Sequence, residues 1–259
     1  MRVSSFSRIR RGIGLVLLAS VLFFAHPPEC RSYILPAEQI IRSMGSQVSR
    51  FGTLLVEQIT RQAAEGGADA VRTYKERVMM AAPDIVHSEV LEGSVPQDTA
   101  RPDSRYRTLF LLNSEAGLAR FLSGLGIDLQ QVSYARIEHH IAYRMGGIEP
   151  ESPQILVEKD TFLPLLLVYP DADTGARMSV HFRDYKRIGG RWYPFQVTIT
   201  SQGNMTLHTV QSLQADVRLP FPSGAPPRKV PSPSTRPSDG WDKEKEDRVK
   251  QLIRAFEEM

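Results

Sequence analysis

Cysteine is almost absent, with one residue, Cys30, in a chain of 259. A disulfide-stapled scaffold and a cysteine-built zinc site are both excluded. Long apolar runs are scarce as well. The longest, 13–25, is shorter than the ~20 residues a helix needs to cross a bilayer. Neither sign of charge dominates. The formal net charge is +3, but Arg2, Arg8, Arg10, Arg11 and Arg31 all precede Tyr33, where Glu29 is the one acid, leaving 27 basic against 28 acidic residues in the remainder. Such a balance removes the electrostatic case for a nucleic-acid partner.

Catalytic and metal-binding signatures are missing too. There is no G-x-S-x-G elbow, and Ser123-Gly124-Leu125-Gly126 lacks both the phosphate-loop lysine and a third dinucleotide glycine. Asp171-Ala172-Asp173-Thr174-Gly175 begins like a calcium loop but sets Gly175 where an oxygen ligand is needed, and no Glu closes it. His139 and His140 are adjacent on an expected strand and point to opposite faces, while His87, His181 and His208 each stand alone. The expectation is a protein with no catalytic residues, no metal and no cofactor, and not an enzyme.

What is present begins with the layout of an export signal over 1–32: a basic stretch ending at Arg10 and Arg11, an apolar run and a small or polar end. Cleavage after Ala25 and after Ser32 both fit, and the expected mature chain is water-soluble and periplasmic. Cys30 follows Pro27, Pro28 and Glu29 rather than a lipoprotein box, which argues against a lipid anchor there.

Further along, Ile40, Ile41, Met44, Val48 and Phe51 recur at helical spacing after Pro36, predicting a helix over 36–51. Strand patterns follow at 54–60, 74–82 and 85–91, the last two separated by Pro83-Asp84. A strand is predicted at 106–112 and a helix at 114–125, with Ser114 as candidate N-cap. The alternation from Ile137 through Met145 reads as one half-buried strand, and further strands are expected at 155–158, 163–169, 178–185, 192–200 and 205–213. Short connections force antiparallel pairing. A sheet of so many twisted strands curls, so the predicted fold is α+β and mainly β: an antiparallel sheet forming an incomplete barrel capped by helices. The expected domain spans 33–219. A Pro-rich linker at 220–240 and an amphipathic helix at 241–259 follow, the helix carrying Val249, Leu252, Ile253 and Phe256 at i, i+3, i+4, i+7 spacing. That helix is read as a docking element for an envelope partner, a flap on its own domain or a solvated end.

Phe195, Val197 and Ile199 share one strand face, and Leu165, Leu167, Val180 and Phe182 fall on matching positions. Met79 adds adaptable surface, and Ile40 and Met44 lie on the covering helix. These ten residues are the candidate lining of the inner face. Side chains can fill that face, or it can leave a concave apolar cavity for a ligand.

Three stretches resemble a known family. Residues 182–199, with Asp184, Tyr185, Gly190 and Pro194 at set intervals, look like the late hairpin of LolA-like outer-membrane lipoprotein-sorting proteins. Residues 157–167, with Thr161, Leu163 and Pro164, are similar to a strand pair of the same proteins. Residues 74–89 resemble their early strands. The resemblance implies a half-barrel, shared with periplasmic regulators similar to RseB, whose cavity shields acyl chains of lipids or lipoproteins with transient membrane contact. It also implies a gating role for His87, which stands where these carriers commonly place an arginine that secures the closed form.

Overall fold

The computed structural model describes residues 33–63, 71–83, 85–93 and 104–219. The expected signal segment with Cys30, the Pro-rich linker and the terminal helix lie outside the described residues.

Ten strands form one antiparallel sheet: β1 (Thr53–Ala63), β2 (Arg72–Ala81), β3 (Ile85–Glu92), β4 (Val132–Ile137), β5 (His140–Gly146), β6 (Gln154–Glu158), β7 (Pro164–Pro170), β8 (Arg177–Ile188), β9 (Arg191–Ser201) and β10 (Asn204–Ala215). Their order is β3-β2-β1-β10-β9-β8-β7-β6-β5-β4, so β3 and β4 are free edges and the sheet is not closed. Two meanders meet where β1 pairs with β10, from Leu54 opposite Ala215 to Ala63 opposite Met205. One face of nearly every strand contributes to a single apolar cluster with the helices, as happens when a twisted sheet curls around its cover. The fold is an α+β half-barrel capped by helices.

Helix α1 (Ala37–Val48) follows Pro36, whose fixed φ suits a helix entry, and buries Ile40, Ile41, Met44 and Val48 on one stripe. Helix α3 (Glu115–Gly124) is capped by Ser114, whose Oγ accepts from the Gly117 N–H at 3.1 Å. Gly45 lets the two helices approach, since a Cβ there would lie 2.8 Å from Leu118 Cδ1. Between them, a 3-10 turn (Arg105–Arg107) runs into the short helix α2 (Thr108–Leu111).

Two expectations are corrected. Residues 106–111 of the expected strand 106–112 are helical rather than extended. Every residue from Arg105 to Leu111 is buried, so the segment has no solvent face to alternate with, and tertiary packing decides its conformation over β propensity. Residues 137–145 are not one strand. The chain reverses at Glu138 (φ 52) and His139, so that Ile137 pairs with His140. No Gly or Asn marks that left-handed turn position, and the run of alternating residues conceals it.

Gly146 carries the tightest backbone requirement near the core. Its φ is +107, and a Cβ would sit 2.4 Å from the Pro153 carbonyl oxygen. Gly146→Ala is therefore expected to cost about 2 kcal/mol or more, read as a lowered urea midpoint with unchanged slope.

Candidate functional site

Of the ten candidate lining residues, Ile40, Met44, Leu167, Val180, Phe182, Val197 and Ile199 belong to the one concave cluster at 0–3% exposure, and half-buried Phe195 packs against it. The structure brings these eight together, but on a filled face. Tyr106 and Phe110 of the segment 104–112, here the lid, enter the space over the sheet. The Phe110 ring lies 5.8 Å from Phe182 and 5.0 Å from Tyr193, and Tyr106 lies 6.0 Å from Phe182.

Two of the ten, Met79 and Leu165, lie elsewhere, and so does the gating candidate His87. Met79 is buried on the opposite face, where it pairs with Leu55 and His87, while its neighbours Val78 and Met80 face the core. Leu165 is the extra residue where the β6–β7 register shifts, and it lines a separate cavity. His87 alternates with Val86 and Ser88, both on the concave side, and so points away from the lid. Strand parity therefore turns its side chain away from the cover.

Arg107, on the lid's 3-10 turn, does join cover to sheet. Its Nη2 donates to Gln58 Oε1 at 3.3 Å, in a patch of polar side chains set into the concave face. Gln58 and Thr60 come from β1, Glu76 from β2, Ser88 from β3 and His208 from β10. Gln58 Nε2 lies 2.8 Å from both Glu76 Oε1 and His208 Nδ1. The Thr60 hydroxyl donates to Glu76 Oε1 and the Ser88 hydroxyl to Glu76 Oε2, each at 2.5 Å. With the Gln58 amide donating to it, His208 Nδ1 is assigned as the acceptor of a neutral imidazole.

Electrostatics agree with that assignment. Burial pushes the His208 pKa down to about 3, Arg107 pushes the same way, and Glu76 only partly opposes them. For Glu76, burial works to raise the pKa, but His208, the Ser88 and Thr60 hydroxyls and Arg107 together hold it below the usual carboxylate value. Burial would lower the Arg107 pKa, but Tyr106, Tyr193 and Glu76 leave it raised, so the guanidinium is charged. The patch thus holds one buried cation and one buried anion, linked through Gln58.

Other contacts fix the lid's ends. Ser49 Oγ donates to the Leu109 carbonyl at 2.8 Å, and the Arg50 N–H donates to the Leu112 carbonyl at 3.0 Å. Arg105 donates to the Pro170 carbonyl and lies 5.0 Å above the Tyr169 ring. Fully burying one large apolar side chain is worth about 1.5–3 kcal/mol, whereas a hydrogen bond nets about 0.5–1.5 kcal/mol. Apolar packing of Tyr106, Leu109, Phe110 and Leu111 therefore holds the lid down, and the polar contacts decide its register. The Tyr106 hydroxyl and Thr108 Oγ1 are both buried without a hydrogen-bond partner among the described residues, so the lid's position leaves two polar atoms unsatisfied.

Sequence reading missed Arg107, Gln58, Thr60, Glu76 and Ser88 and took His208 as solitary. The available signal was a run of polar residues at core parity, with Gln58 and Thr60 following Leu54 and Val56.

No family model matches the chain, and no curated protein matches it. Among solved structures it is similar to a LolA superfamily protein from Nitrosomonas europaea, at 12% identity and a TM-score of 0.46, covering 72% of this chain and 96% of that one. A Vibrio parahaemolyticus domain described as an outer membrane lipoprotein-sorting protein follows at 12% identity and 0.41, covering 70% and 93%. A DUF1329 family protein from Desulfovibrio piger stands at 16% and 0.41, covering 71% and 93%.

Glu76→Leu would leave Arg107 buried without its carboxylate, at an expected cost of about 3–5 kcal/mol. The Glu76→Leu/Arg107→Met double variant should recover at least half of that loss in urea melts. The His208 pKa is lower in the folded chain than in the unfolded one, so its contribution is complete above pH 6.5 and is lost as pH falls toward 3. His181, pushed down to about 4, acts in the same sense. Stability should fall on acidification by up to ~1.4 kcal/mol per pH unit for each imidazole, and His208→Gln should roughly halve the slope measured between pH 6.5 and 4.5.

Proposed function

We propose that this chain is an exported periplasmic carrier that shields acyl chains of lipids or lipoproteins, with 33–219 as the carrying domain and 1–32 as a removable signal. The carrying observation is the plug: a short tethered segment inserts Tyr106 and Phe110 over an apolar concave face. Those side chains occupy the volume that a guest would take, and the guest needs no reacting group. Burying a methylene is worth about 0.8 kcal/mol, so a long acyl chain can offset the packing lost when the lid lifts. The likeness of residues 182–199 to the sorting proteins' hairpin supports the same reading.

A second reading is favoured by the filled face: an interaction or sensor module that carries no lipid and meets an envelope partner through 241–259.

Phe110→Trp in the delipidated full chain separates the two. Under the carrier reading, a phospholipid or diacylated peptide displaces the lid, and the fluorescence added at position 110 shifts to the red, saturably and with a matching mass adduct in native mass spectrometry. An unchanged spectrum and no adduct would leave the sensor reading, for which deleting residues 238–259 should abolish partner capture.

A further inference from the structure

Two groups can balance the buried Glu76 carboxylate. At neutral pH the balancing cation is Arg107, which reaches the patch from the lid through Gln58. The second is His208 on β10, uncharged at that pH, whose Nδ1 lies 3.7 Å from Glu76 Oε1. One stands on the lid and the other on the sheet, so a change of counter-ion changes what holds the lid.

The ring has few charged neighbours. Glu76 on β2 and Arg107 on the lid act on it directly. Tyr106 on the lid and Tyr193 on β9 act on Arg107, and burial pushes both phenols up, so they stay neutral. From the remaining elements come Gln58 and Thr60 on β1, Ser88 on β3, Tyr74 opposite Thr60 on β2 and Val197 opposite His208 on β9.

With the ring neutral, Nδ1 accepts from Gln58 Nε2 at 2.8 Å, which leaves Gln58 Oε1 turned to Arg107. A proton on Nδ1 sets two donors against each other across that distance. Turning the amide over would place Oε1 where Nε2 now lies, 2.8 Å from Glu76 Oε1, acceptor against acceptor. Gln58 has to withdraw, and Arg107 loses its acceptor. Charge acts in the same direction. With ring and guanidinium both charged, the patch holds two buried cations against one anion, and expelling one restores the balance. His208 is fixed by the pairing of β10 with β1 and β9, so the cation that can leave is the one on the lid. Release also returns the Tyr106 hydroxyl and Thr108 Oγ1, buried without partners among the described residues, to water.

We propose that the patch is an acid-operated release for the lid, in which a proton taken up by His208 replaces Arg107 as the counter-ion of Glu76 and frees the guanidinium from the concave face. The release concerns the lid's own equilibrium and does not require a guest, so it can stand or fail apart from the carrier reading. Its steepness follows from linkage. Covered, the ring is pushed down to about 3, whereas uncovered it titrates near the ordinary 6.5, so the opening constant grows up to about tenfold for each pH unit below 6.5.

Acrylamide quenching of Phe110→Trp in the full chain, read as the difference from the parent's Trp192 and Trp241, tests it between pH 7 and 4.5. The quenching constant of the added indole is expected to rise at least threefold over that range with far-UV circular dichroism unchanged. Emission of Nile red, an uncharged dye, should rise over the same range with the unsubstituted chain, which covers a failure of the tryptophan variant to fold. His208→Gln and Arg107→Met should each flatten the pH profile, the first by removing the proton site and the second by removing the cation it displaces. His181→Gln should leave the profile intact, since that ring is also pushed down but alternates with Val180 and Phe182 and lies on the other face. A flat profile in the unsubstituted chain, an unchanged profile in His208→Gln or Arg107→Met, loss of the profile in His181→Gln, or exposure only alongside loss of the far-UV signal would overturn the proposal.

Discussion

The antiparallel pairing of β1 with β10 is the contact on which the rest of the architecture depends. It joins the strand after the first helix to the last strand of the domain, across some 150 residues of chain. Once that pair forms, β2 and β3 can grow only outward on one side and β9 to β4 only on the other. The two ends of the sheet are then left apart, and the chain between β3 and β4 has to travel from one free edge to the other. Crossing the concave face is the route that buries its apolar residues, so the lid and α3 follow from topology as much as from local propensity.

The same pairing builds the polar patch that receives Arg107. His208 stands opposite Thr60 only in this register, with Glu76 opposite Gln58 on the other side. A polar patch inside an apolar face is costly unless every member is paired, and here Gln58 joins the carboxylate, the imidazole and the lid's guanidinium. An aliphatic face would bind the lid as firmly with no preference among positions of the segment. The Gln58 bridge between the buried cation and the buried anion restricts the lid to the one register that brings Arg107 over Gln58.

Local features of this fold were legible in the sequence wherever local chemistry decides them. The hairpins around Gly189-Gly190 and Gly203-Asn204, the Ser114 cap and the stripe of Ile40, Ile41, Met44 and Val48 all announce themselves within a few residues. Reading failed where a distant partner decides. Residues 106–112 are apolar enough for a strand and become helical because they are enclosed on every side. Met79 matches Val78 and Met80 in composition, and only the register with Leu55 sends it to the other face. Glu76 looks like one more strand carboxylate until Gln58, Ser88 and His208 are placed around it. The concave face itself was legible as a set of residues; its being filled was not, because the filler comes from the segment whose conformation was misread.

The lid is covalently tied at both ends, to β3 before it and through α3 to β4 after it. Under the proposed carrier function, its aromatic side chains would compete for the concave face as an intramolecular ligand, at an effective concentration that the two connections set. A guest would then meet a rival that is never diluted. Lengthening or shortening either connection would alter that effective concentration, and with it the apparent affinity for guests, without changing a single residue of the surface they contact.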